Sequence, residues 1–168
     1  LDVAYFKTME HLPFAEAVKG DFVHLPVGTQ WGKKWEYAWF RTQITVPEAL
    51  AGKRLVFTLQ TAPEMLVWVN GREAGAIDKK HTYITLTRSA VPGTVYEIYA
   101  EGYAGHGVRN EGAGIVAHGE EPVPEPPQAQ VKVGESYYAV WNEELFQVAM
   151  DYLTLYQLVQ KLPPKSLR

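Results

Sequence analysis

Hydrophobic and polar side chains alternate along residues 40–46. Phe40, Ile44 and Val46 occupy even positions, Arg41, Gln43 and Thr45 odd ones, and Pro47 ends the run. A repeat of two with β-branched residues marks a strand, whereas a helix would mix Arg41 and Gln43 into its apolar side. Trp31, Trp35 and Trp39 precede this run at intervals of four. An even spacing keeps side chains on one side of a pleat, so the row reads as strand too. Residues 53–60 alternate Leu55, Phe57 and Leu59. Residues 65–77 form two apolar arms around Asn70-Gly71, the pair that accepts positive φ at both centres of a type I′ turn. Residues 81–87 and 94–102 read as further strands joined through a Pro92-Gly93 turn, and 129–141 as one or two more. Short strands separated by turn signals predict an all-β fold, a jelly-roll β-sandwich of the galactose-binding-like type.

Two regions depart from this pattern. Residues 103–128 are rich in glycine and then proline, ending in EEPVPEPPQ, and read as a long surface connection, because proline lacks the amide a sheet ladder needs. Beyond Trp141 the repeat changes to that of a helix. Asn142 is placed as its N-cap, Glu143 and Glu144 suit its positive end, and Pro163-Pro164 stop it. Leu145, Val148, Tyr152, Leu155, Tyr156 and Val159 form a stripe at helical spacing, widened by Phe146, Met150 and Leu153. That is too much apolar surface for a helix standing alone, so these residues are candidates for an interface. The expected organisation is a sandwich over 1–141 and a helix within 142–168.

Composition narrows the function. A net charge of -3 without a basic run argues against a nucleic-acid surface. No apolar stretch approaches the ~20 residues of a membrane span. The chain has no cysteine, which fits a reducing, cytoplasmic compartment. It opens on Leu1 rather than methionine, so the segment ahead of it is open. The five histidines, His11, His24, His81, His106 and His118, lack metal-ligand spacing. His106 is the candidate for a loop contact, since glycine on both sides lets backbone approach a partner closely. The acidic residues fall in turns, on polar strand faces or at the helix start, and suggest no facing carboxylate pair of the glycosidase kind, roughly 5–10 Å apart. No catalytic residue, cofactor or metal is therefore expected in this segment.

The aromatic row poses a separate question. If Phe40, Ile44 and Val46 face the core, then Tyr37, Trp39 and Arg41 share the other face, with Trp35 leading into it. Three readings stay open: a covering loop of the same domain, such as the 103–128 connection; an interface, where Trp, Tyr and Arg are enriched; or a platform on which a sugar ring stacks.

These residues also resemble a known family. WGKKWEYAWFRTQITVPEALAGKRLVFTL (31–59) and EMLVWVNGREAGAIDKKHTYITL (64–86) are similar to the N-terminal β-sandwich of glycoside hydrolase family 38 α-mannosidases. The shared elements are a WG…W…WF opening, a VPE…AGK turn, a V-NG hairpin and an ID…H segment. The tail from Glu144 to Arg168 resembles the helix leading from that sandwich into the catalytic domain. Sandwiches of family 2 glycosidases, including β-galactosidases and β-glucuronidases, share the WFR…VP and VNG elements and form the runner-up. The resemblance implies a non-catalytic domain of a parent that hydrolyses terminal α-mannosides, with a structural and assembly role. It implies zinc or another divalent metal held by a GHAHID-type motif and an aspartate nucleophile, both in a catalytic domain beyond Arg168. Nothing catalytic carries over onto these positions. The partners it implies are that catalytic domain, a second copy of the chain, or a mannose-containing glycan. An autonomous carbohydrate-binding module is the competing reading, and the apolar helix weighs against it.

Overall fold

In a computed structural model, which describes residues 1–105, 125–163 and 166, the chain is built around two nine-residue strands. β4 (Tyr37–Thr45) and β9 (Val95–Tyr103) pair antiparallel along their whole length, from Tyr37 opposite Tyr103 to Thr45 opposite Val95. β1 (Ala4–Thr8) lies on the far side of β4, followed by β2 (Val23–His24). β6 (Glu64–Val69) lies on the far side of β9, followed by β7 (Arg72–Ile77). The six-stranded sheet runs β2-β1-β4-β9-β6-β7. A second sheet orders β11 (Tyr137–Val140), β5 (Leu55–Thr58) and β8 (Ile84–Thr87), and β10 (Val131–Lys132) pairs with β3 (Gln30–Trp31). All these pairings are antiparallel, and with the C-terminal helix they give the jelly roll expected from the strand pattern.

The alternation in β4 sets what each face does. Phe40 and Ile44 point inward with Ile98, Ala100, Met65 and Val67, and share a core with Phe57 and Ile84 from the second sheet and Leu59 just beyond β5. Burial of side chains this size contributes about 1.5–3 kcal/mol each. Packing on the inner face is close enough that Gly102 has no room for a side chain: a Cβ there would sit 2.6 Å from the Ala62 Cβ and 2.8 Å from the Phe40 ring. At the hairpin between β6 and β7, Asn70 and Gly71 adopt φ of 50° and 74°, as the type I′ reading requires.

The tryptophan row does not form one strand. Trp31 ends β3 and points into the core against Phe40. The chain then turns: Gly32 takes φ 99°, Trp35 takes φ 64°, and the buried Glu36 carboxylate accepts the amides of Gly32 and Lys33. The carboxylate closes a turn inside the tryptophan spacing, so Trp31 and Trp39 end on opposite faces of the large sheet. The N-terminal segment also has a role that alternation does not reveal. Between β1 and β2, the short helix α1 (Phe14–Ala17) and its flanks lie over the outer face of the six-stranded sheet.

The second helix, α2 (Glu143–Lys161), begins as expected, with the Asn142 Oδ1 accepting the Leu145 amide at 2.9 Å. No residue of it is buried. Its first turn is tied to the sandwich by Glu143, which accepts from the Trp141 indole at 2.6 Å and from Arg54 at 3.1 Å. Arg54 also lies 4.7 Å from the Trp141 ring centroid, and Phe146 packs on that ring.

Candidate functional site

Strand register places the candidate residues in rows across the outer face of the six-stranded sheet. One row runs Thr8, Tyr37, Tyr103, Glu64; the next Phe6, Trp39, Glu101, Leu66, Ala76; a third Ala4, Arg41, Tyr99, Trp68. The middle of this face is closed. Trp39 is 0% exposed, stacked on Trp68 at 5.1 Å, and Phe14 of α1 packs on Trp68, Trp39 and Tyr99. Phe6, Leu12 and Phe22 complete the cover. So Trp39 offers no ring face to solvent, and among the described residues the cover comes from the N-terminal segment; residues 106–124 of the 103–128 connection lie outside the described residues. Arg41 stays exposed at one end, its guanidinium 4.8 Å from the Phe22 ring centroid.

The other end of the face stays open. Tyr37 and Tyr103 stand with centroids 5.0 Å apart and planes tilted by 34°, and the Trp35 ring lies near-parallel to Tyr103 at 6.5 Å. Beside them is a cleft of about 420 Å³ lined by both tyrosines, Glu64, Leu66, Ala76, Asp78 and Glu101. The structure thus brings Tyr37 together with Trp35 and leaves Trp39 and Arg41 outside this group. Glu101, Tyr103, Glu64 and His11 were not singled out by the sequence. The signal for Glu101 was available: the 94–102 run alternates as β4 does, and its odd positions share the outer face; Tyr103 continues that alternation because β9 runs one residue into the expected connection.

Electrostatics follow from burial. The Glu101 side chain is 11% exposed; its Oε2 lies 3.3 Å from His11 Nε2, and its Oε1 is enclosed without a hydrogen-bond partner among the described residues. Burial raises its pKa, and His11 opposes the rise. Burial also raises Tyr103, reinforced by Tyr37 and Glu64. Asp78 behaves the opposite way: the amides of His81 and Lys80 and the His81 ring hold it down at about 2. Among the described residues no group of three or more His, Asp or Glu is placed to hold a metal ion. His106 lies outside the described residues. Leu145, Val148, Tyr152, Leu155, Tyr156 and Val159 are all at least half exposed on α2.

This jelly roll has known relatives. Residues 1–123 match the family of alpha-mannosidase jelly roll domains, and the chain belongs to that family. Of the two glycosidase families it resembles, the match is to the α-mannosidases. Alpha-mannosidase 2C1 of Homo sapiens is 36% identical over 86 residues, covering 49% of this chain and 8% of that protein. Its Mus musculus counterpart is 26% identical over 167 residues, covering 97% of this chain and 16% of that protein. Alpha-mannosidase G of Dictyostelium discoideum is 23% identical over 168 residues, with 95% and 15% covered. The chain therefore spans at most 16% of the length of these curated relatives. Among solved structures, a β-glucuronidase from Ruminococcus gnavus overlays 61% of this chain and 20% of its own with TM-score 0.48 and 13% identity. No described helix is long and apolar enough to cross a membrane.

Proposed function

We propose that this chain is a non-catalytic jelly-roll domain of an α-mannosidase, with a structural and assembly role towards the domain that hydrolyses terminal α-mannosides. Family membership supports the identity of the parent. The observation that carries the assembly role is α2, held firmly at its first turn by Arg54, Trp141 and Glu143 while its apolar side chains lie open beyond. Such a face is suited to burial against another folded unit, and in this reading that unit is the parent's catalytic domain. The divalent metal and the nucleophile of the parent belong to that domain, and this chain supplies neither. A cytoplasmic setting is part of the reading, supported by a 168-residue sequence without cysteine.

The test is hydrolysis of aryl α-mannosides by the purified chain, with and without added zinc. No turnover is expected: glycoside hydrolysis needs two carboxylates on opposite sides of the substrate, whereas Glu64 and Glu101 share one sheet face on the adjacent strands β6 and β9. Zinc-dependent turnover that persists through repurification refutes the proposal.

A further inference from the structure

The open end of the aromatic face carries an inference independent of the assembly role. We infer that the cleft beside Tyr37 and Tyr103 binds an uncharged pyranose ring. Three features of the cleft support this. Tyr37 and Tyr103 present adjacent ring surfaces, and the Leu66 side chain, 39% exposed, continues them with apolar surface along β6. A pyranose has one face of C–H groups that packs on such a surface and a rim of hydroxyls that needs polar partners. The partners stand at the edge. Glu64 lines the cleft one row from Glu101, whose Oε2 lies against His11. The exposed Glu64 carboxylate accepts hydrogen bonds, which sugar hydroxyls donate. His11, with its side chain 71% exposed, can swing aside from Oε2 or donate from its own ring.

The same groups set the selectivity. Three carboxylates in the cleft, Glu64, Asp78 and Glu101, repel a uronate or a phosphosugar. A cation would also meet favourable charge here. However, recognition of alkylated ammonium relies on several rings surrounding the charge, and among the described residues only Tyr37 and Tyr103 bring rings to this cleft. An open cleft of this size buries only part of a monosaccharide, so binding in the millimolar range is expected.

Titration of the isotope-labelled chain, followed by its amide resonances, tests this with methyl α-glucopyranoside, methyl α-mannopyranoside, glucuronic acid and tetramethylammonium chloride as probes. The two neutral glycosides should produce saturable shifts at Leu66, Ala76 and Tyr103, and glucuronic acid should produce none. Tyr37→Leu should weaken binding by about tenfold, on the scale of one aromatic contact. Glu64→Gln, an isosteric change at an exposed position, should weaken it several-fold without risk to folding, and supplies the reading if Tyr37→Leu does not fold. Absence of saturable shifts, shifts scattered over the sandwich, or shifts unaltered by Glu64→Gln overturn the inference. Tighter binding of tetramethylammonium than of either glycoside overturns it in favour of a cation site.

Discussion

Trp39 lies on the face of β4 opposite Phe40, yet Phe14, Phe6 and Phe22 leave it no exposed surface. Truncating a buried ring of this size costs about 3–5 kcal/mol, so Trp39→Ala should lower stability by that amount in urea denaturation. A loss below about 1 kcal/mol would mean that the N-terminal cover does not form. Period-two patterning does assign Trp39 its face. It says nothing about what comes to lie on that face, because the cover arrives from residues far away in sequence. Charged residues beside it show the same limit. Glu101 reads as a solvated strand residue, but burial raises its pKa from the ordinary value of 4.5. The folded state then holds its proton more tightly than the unfolded chain. Stability is therefore fully present below the unfolded pKa and declines as pH rises through the folded one. Glu101→Gln should remove that decline, which thermal unfolding between pH 4 and neutrality measures. Asp78 runs the other way. Its folded pKa of about 2 against 3.8 means the 78–81 turn is secure above pH 3.8 and loosens as pH falls towards 2. The amide shifts of Lys80 and His81 should report this, and shifts that stay constant down to pH 2 would contradict it.

At the scale of elements, legibility depended on whether the signal was local. The β6–β7 hairpin was legible because two adjacent residues, Asn70 and Gly71, carry its geometry. Helix α2 was legible because its cap, its acidic first turn and its apolar repeat are all contained in residues 142–161. The turn at 32–36 was not, because the Glu36 carboxylate closes it by accepting amides three and four residues back, and this breaks an otherwise even tryptophan spacing. α1 was equally hidden, being four residues long and fixed by Phe14 and Ala17 packing on the outer face. These differences predict how each helix responds to change. α2 has no buried residue, so its stability rests on its ends. Asn142→Ala should cost about 1 kcal/mol at the N-terminus and let the helix fray. Circular dichroism should lose helical signal while the sandwich unfolds at an unchanged temperature. A parallel loss of both would show that the helix and the sandwich are one cooperative unit.

For the whole molecule, the question is what α2 does when nothing covers it. Among its exposed apolar side chains exposure runs from 42% at Met150 to 72% at Tyr152, and Leu145, Val148, Leu155 and Val159 lie between. The helix does not fold back on its own sandwich; only Phe146 is part-buried, against Trp141. An apolar surface of this length is more than a monomer ordinarily presents. In the proposed parent it is buried by another domain, and in the isolated chain a second copy is the available substitute. Two-fold association covers the same stripe on both copies at once, which makes a dimer the expected state. Light scattering on the purified chain should report that dimer. Leu155→Glu with Val159→Glu places two charges one helical turn apart on the stripe and should return the chain to a monomer. The β-sheet signal should be unchanged, since neither residue touches the sandwich core. A chain that stays monomeric at high concentration with its helix intact would show that α2 tolerates full exposure. It would then have no need of a partner, and the assembly role assigned to it would fall.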